Sequence, residues 1–189
     1  IAAGASQEVI FDGATWQAGQ HTDTGTITYQ AINSSGQVIT ATDSDDANYF
    51  GAKPVINIDK VTNGSDGLSI SEGSAVTWTY TVTSTGSNVD LSNVSVSDDK
   101  GVVPALISGD DGDNVLELNE TWIYEATGIA GVGPYSNTGT VTGSFKDDLN
   151  ITKTVNDADD SSYNGVDVKP LVTLVKDGEA TINEGGDTA

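Results

Sequence analysis

Carboxylates are the side chains of this sequence best placed to do chemistry. Asp110, Asp111 and Asp113, followed by Glu117 and Glu120, put five acidic groups into eleven residues that also hold Gly112. Calcium takes roughly six to eight oxygen ligands, and carboxylates at alternate positions of a tight loop can converge on one ion. A second set occurs twice, as Asp43, Asp45 and Asp46 and again as Asp157, Asp159 and Asp160. Three carboxylates within four residues repel one another unless a cation or strong solvation offsets the repulsion. Calcium is the expected ion at both kinds of cluster, with Asp98 or Asp99 as further ligands at the second. A solvated acidic surface is the alternative reading at each.

Composition removes most other chemistries. The 189 residues hold 28 acidic and 7 basic side chains, a net charge of -21, and every basic one is a lysine. Cysteine is absent and His21 is the one histidine, so thiol catalysis, disulfides and Cys/His zinc sites are excluded. A surface this negative, without a guanidinium, repels phosphates, and no nucleic-acid partner is expected. Paired carboxylates serve glycosidases, but here they fall in short loops with no sign of a large cleft, so neither an enzyme nor a small-molecule substrate is expected. Lys60, near a first strand, and Asn150 or Asn156, near a last one, are residue types that can form an isopeptide crosslink, with loss of about 17 Da. Asn33, Asn63, Asn93, Asn119 and Asn150 each open an Asn-x-Ser/Thr triplet, which matters only in a source that glycosylates.

The elements that must position these groups read as strands. No window repeats apolar residues at helical spacing for three turns. Ala75 to Thr83 instead alternates Val76, Trp78, Tyr80 and Val82 with threonines, giving one core face and one wet face. Trp122, Tyr124 and Ala126 share a face in the same way, and a further strand is expected from Tyr135 to Thr142. The four aromatics on these faces read as core rather than as a sugar-stacking platform. Shorter alternations at 55–59, 91–97, 102–107 and 149–155 bring the expectation to about seven strands between Lys53 and Asp157, with Pro104 at an edge or bend. Seven short strands in about 100 residues predict an all-β, immunoglobulin-like antiparallel β-sandwich.

The chain also repeats itself. His21-Thr-Asp-Thr-Gly-Thr-Ile-Thr28 aligns with Tyr135-Ser-Asn-Thr-Gly-Thr-Val-Thr142 at an offset of 114, and Asp43 to Gly51 aligns with Asp157 to Gly165 at the same offset. Lys53-Pro-Val-Ile-Asn-Ile58 matches Lys169-Pro-Leu-Val-Thr-Leu174 at 116, and Ile70 to Gly73 matches Ile182 to Gly185 at 112. Tandem repeats follow: residues 1–51 read as the end of one repeat, 52–167 as a complete one and 168–189 as the start of the next. The second acidic cluster then falls at the repeat boundary, with Tyr49 and Tyr163 beside it, and His21 takes the structural place of Tyr135.

The runs Val76-Thr-Trp-Thr-Tyr-Thr-Val-Thr-Ser-Thr-Gly86, Leu91 to Asp99, Ser108-Gly-Asp-Asp-Gly-Asp113, Asn119-Glu-Thr-Trp-Ile-Tyr124 and Tyr135 to Gly143 resemble the Ig-like tandem repeats of giant bacterial surface proteins, including RTX-type adhesins. The resemblance implies an extracellular stalk or extender whose partners are neighbouring repeats or other copies, often stiffened by calcium. The loop at Asp110 resembles the Asp-x-Asp-x-Asp loops that precede the Glu-Thr-Trp strand in such repeats, but is one residue shorter and carries Asn114 where glycine is common. No stretch approaches the roughly 20 apolar residues of a membrane span, and Ile1 opens no signal sequence, so the chain reads as a segment of a longer surface protein. A subunit of an extracellular filament or surface layer, assembled by strand addition between copies, is the other reading.

Overall fold

The computed structural model describes residues 6–10, 15–169, 172 and 174. Most of 168–189, expected to open a following repeat, lies outside them. All regular structure among the described residues is β. Two long strands, β1 (Gly19–Ile32) and β2 (Val38–Gly51), form a separate two-stranded antiparallel sheet. After residues 52–56 come β3 (Asn57–Thr62), β4 (Leu68–Ser71), β5 (Ala75–Thr83), β6 (Leu91–Asp98), β7 (Ala105–Ser108), β8 (Val115–Leu116), β9 (Thr121–Ile129), β10 (Gly133–Lys146) and β11 (Thr152–Val166). These make a five-stranded sheet in the order β4-β11-β10-β6-β8 and a four-stranded sheet in the order β3-β5-β9-β7. Every pairing is antiparallel except that of β11 with β4.

The two sheets enclose one core, a β-sandwich. Its four-stranded side supplies Ile58, Val76, Trp78, Tyr80, Val82, Trp122, Tyr124 and Ala126, and its five-stranded side Ile70, Leu91, Leu116, Val141 and Tyr163. The alternation read in β5 and β9 is the burial pattern observed: aromatic residues point inward in both, with half-buried threonines outside in β5 and half-buried Ile123 and Glu125 outside in β9. The short strands β4 and β8 escaped the sequence reading because four and two residues are too few to display a period. Pro104 stands just before β7, the edge strand of its sheet.

Of the strand expected at 149–155, residues 152–155 are strand and open the long β11, whereas 149–151 belong to the turn before it. Asp147 Oδ1 accepts hydrogen bonds from Leu149 N (3.0 Å) and Ile151 N (2.7 Å), and Asn150 takes φ +65°. A side-chain acceptor and a left-handed residue favour the turn over the apolar alternation of Leu149 and Ile151, both of which are exposed. The first hairpin turns in the same way with a different sequence. Asn33 Oδ1 accepts from Ser35 N (3.0 Å) and Gln37 N (2.9 Å), and Gly36 takes φ +82°.

The repeat seen in sequence is a repeat in register. Gly19 pairs with Gly51 and Ile32 with Val38, while Gly133 pairs with Gly165 and Lys146 with Thr152, each pair displaced by 114. His21 stacks on Tyr49 at 5.0 Å as Tyr135 stacks on Tyr163 at 4.9 Å, so His21 does stand in the aromatic place of Tyr135. Any Cβ at Gly51 would collide with the backbone of Gln17, and any at Gly165 with that of Gly131, which is why both hairpins end on glycine. Only the surroundings differ. Ile27 is 60% exposed where its counterpart Val141 is 0%, and Tyr49 is 41% exposed against 5% for Tyr163. Between the hairpin and the sandwich lies an open cleft of about 620 Å³ lined by Trp16, Phe50, Pro54, Phe145 and Ile151 among others.

Candidate functional site

The acidic loop between β7 and β9 brings its carboxylates together. Among the described residues, two trios approach within 4.8 Å: Asp110, Asp111 and Asp113, and Asp111, Glu117 and Glu120. Part of their oxygen capacity holds the loop in shape. Asp110 Oδ1 accepts from Gly112 N (3.0 Å) and Asn114 N (3.1 Å), and Asp113 Oδ1 from Val115 N (2.8 Å). Glu120 Oε2 accepts from Trp122 Nε1 (2.9 Å) and Glu117 N (3.2 Å), tying the loop to a core aromatic. Asn114 takes φ +62°, a conformation asparagine tolerates better than most residues, and so fills the place where glycine is common. Partial burial, followed by repulsion from Asp111, Glu120, Asp113 and Asp90, raises the Glu117 carboxyl above its ordinary pKa. Glu117→Gln is therefore expected to raise the melting temperature slightly in chelator at neutral pH and to remove any gain on adding calcium. Thermal unfolding in the two buffers checks both.

The paired clusters are arranged differently. Asp157, Asp159 and Asp160 lie in the middle of β11, where alternation turns the first two inward with Ser161 and Tyr163 and the third outward. Asp157 Oδ2 accepts from Ile58 N (3.0 Å), Asp159 Oδ2 from Lys60 N (2.8 Å), and Thr62 Oγ1 donates to Ser161 Oγ (2.9 Å). Each partner on β11 is 99 residues beyond its partner on β3: Asp157 and Asp159 satisfy two backbone N–H groups on the free edge of β3, and the Thr62–Ser161 hydroxyl pair continues the same spacing across the sandwich. Asp160 Oδ1 accepts from Thr138 Oγ1 (2.6 Å) on the outer face. Asp43, Asp45 and Asp46 hold the corresponding positions of β2 and are exposed. Asp99, expected beside this cluster, accepts from the N–H of Thr138 (2.7 Å), the residue whose hydroxyl donates to Asp160, and pairs with Lys100 (3.0 Å); these two partners hold its carboxyl below the usual range.

Asp98 belongs to a buried polar cluster that spans the two sheets. Lys60 points inward from β3, and its Nζ lies 3.2 Å from Asp98 Oδ2 with both side chains sealed from solvent. The same Nζ donates to the backbone carbonyl of Asn137 at 2.6 Å. Asp98 Oδ2 also accepts from Tyr80 Oη (2.7 Å) and Asn137 Nδ2 (2.8 Å), and Ser161 Oγ donates to Asn137 Oδ1 (3.3 Å). Burial pushes the Lys60 amine below its ordinary pKa against the pull of Asp98, and it pushes the Tyr80 phenol upward, reinforced by Asp98. Room for the cluster comes from Gly139, where a Cβ would stand 2.8 Å from the Tyr80 ring and 3.0 Å from Lys60 Cδ.

The sequence reading named Lys60 and Asp98 separately but not Asn137. A signal was present, because the repeated motif Asp/Asn-Thr-Gly-Thr carries both the amide position and the glycine, at 23–26 and 137–140. Compared with known proteins, the chain matches no family model and no curated protein sequence.

Proposed function

We propose that this chain is a spacer segment of a longer extracellular protein built from tandem Ig-like β-sandwiches, with a mechanical rather than catalytic role. The observation that carries this reading is the recurrence of one hairpin, residue for residue in register, once inside a sandwich and once ahead of it. A hairpin with exposed Ile27, Tyr29 and Tyr49 on its inward-type face fits the last two strands of a preceding sandwich. The high negative charge suits a solvated surface polymer that must not collapse on itself. Strands of 14 and 15 residues span about 45–50 Å, which bounds the reach each repeat adds. Among the described residues no helix is long and apolar enough to cross a membrane.

Calcium enters this reading at the Asp110–Glu120 loop, where carboxylates converge. We assign no ion to Asp157 and Asp159, which already receive backbone N–H groups. A second reading, a filament subunit, draws on the same exposed face of β1 and β2, which a strand of another copy would cover. Small-angle scattering on chains of one, two and three fused repeats distinguishes them. A spacer gives a maximum dimension that rises by a constant step of up to about 50 Å per repeat and does not depend on concentration. Concentration-dependent growth of a single-repeat chain would favour the filament, and a dimension that does not rise with repeat number would overturn the spacer.

A further inference from the structure

We propose that Lys60 and Asn137 become joined by an intramolecular isopeptide bond, with Asp98 as the catalytic acid–base. The geometry carries this inference. The attacking nitrogen (Lys60 Nζ) and the leaving nitrogen (Asn137 Nδ2) both hydrogen-bond the same oxygen, Asp98 Oδ2, at 3.2 and 2.8 Å, so one carboxylate can take a proton from the first and deliver it to the second. Nζ is further anchored on Asn137 itself through its backbone carbonyl at 2.6 Å. Ser161 Oγ sits 3.3 Å from Asn137 Oδ1, on the oxygen that gains negative charge when the amide carbon is attacked. Lys60, Asn137 and Ser161 are all at most 2% exposed, so water is excluded and hydrolysis does not compete.

Without the bond, the arrangement is hard to justify by stability alone. A buried ion pair returns little net stability over well-packed apolar residues, because both charges lose their hydration. A bond would turn the buried ammonium into a neutral amide. The step balances without any co-reactant. The Lys60 ammonium passes a proton to Asp98, and the neutral amine adds to Cγ of Asn137 to give a tetrahedral adduct. Asp98 then relays protons from Nζ to Nδ2, the Cγ–Nδ2 bond breaks, and nitrogen leaves as ammonium while Asp98 returns to its ionised form. One C–N bond forms, one breaks, and nothing is oxidised or reduced.

The neighbouring copies carry a lysine and an aspartate at the matching positions in sequence. Extending the match of Lys53 with Lys169 places Lys176 at the position of Lys60, at the same offset of 116. In the first hairpin Asp23 stands where Asn137 does, paired with Ala47 as Asn137 is with Ser161, and Gly25 stands for Gly139. An aspartate can accept the same attack with water as the leaving group. Lys60 and Asn137 lie on opposite sheets, on the first strand of the sandwich and the one before its last. A bond between them would withdraw the intervening chain from extension under pull.

Intact mass of the folded full chain tests the proposal, with expected loss of about 17 Da from the sequence mass. Trypsin stops at Lys53 because proline follows, and it cannot cut after an acylated Lys60, so residues 1–100 should remain joined to 101–146. Asp98→Asn and Lys60→Arg should each show the full mass calculated from its own sequence, with no loss of about 17 Da. A folded wild-type chain at its full sequence mass overturns the proposal. So does loss of ammonia with cleavage after Lys60 intact, the signature of a succinimide at Asn137. A crosslink that persists in Asp98→Asn would overturn the role given to Asp98. The wild-type result stands whether or not either variant folds.

Discussion

Tyr80→Ala is expected to destabilise the sandwich by about 3–5 kcal/mol, read as a lower midpoint in urea unfolding followed by tryptophan fluorescence. Tyr80 has no exposed surface, and its ring fills the space that Gly139 leaves open beside the Lys60 arm. Deleting the ring opens a cavity in the centre of the core and also removes the hydroxyl that donates to Asp98 at 2.7 Å. Tyr80→Phe separates the two losses. It keeps the ring and removes one donor from a carboxylate that retains Lys60 and Asn137, so a smaller cost of about 1–3 kcal/mol is expected.

The double substitution Asp157→Ala with Asp159→Ala should cost about 2–6 kcal/mol, because each change strips a shielded backbone N–H of β3 of its acceptor at about 1–3 kcal/mol. The same pair of changes at Asp43 and Asp45 is expected to stay within about 0.5 kcal/mol in this chain, since those side chains are exposed on β2. One motif thus gives two very different outcomes, set by whether a strand edge lies across from it. Urea unfolding of the two double variants side by side makes the comparison.

Most of the sandwich was legible because its central strands obey a period of two. β5 and β9 place tryptophan and tyrosine at every second residue, and nothing in the structure overrides that pattern. The hairpin repeat was legible for a different reason: glycines and aspartates whose positions are fixed by register recur at a constant offset. The role of those aspartates was not legible. Their density suggested a cation or a solvated acidic surface; that Asp157 and Asp159 sit mid-strand and accept from the backbone of a strand 99 residues away is a relation that sequence spacing does not encode. The same limit hid Asn137. Lys60 was recognised as a candidate for a crosslink, but its expected partners were Asn150, which is exposed in the turn after β10, and Asn156, which faces outward on β11. The asparagine whose backbone carbonyl accepts from the lysine, and whose side-chain amide shares Asp98 Oδ2 with it, lies on β10, brought there by the packing of one sheet on the other.

Amide hydrogen exchange on a fused chain tests the tandem arrangement most directly. Residues 52–132, joined directly to residue 19 and followed by the rest of the chain, supply the first hairpin with the strands that β10 and β11 have in the complete sandwich, because residue 133 corresponds to residue 19. In the fused chain the amides of 19–51 are expected to gain protection approaching that of 133–165, as Ile27 and Tyr49 become buried like Val141 and Tyr163. If 19–51 exchanges as fast in the fused chain as in the original, the hairpin is not the end of a sandwich, and the tandem-spacer reading is contradicted.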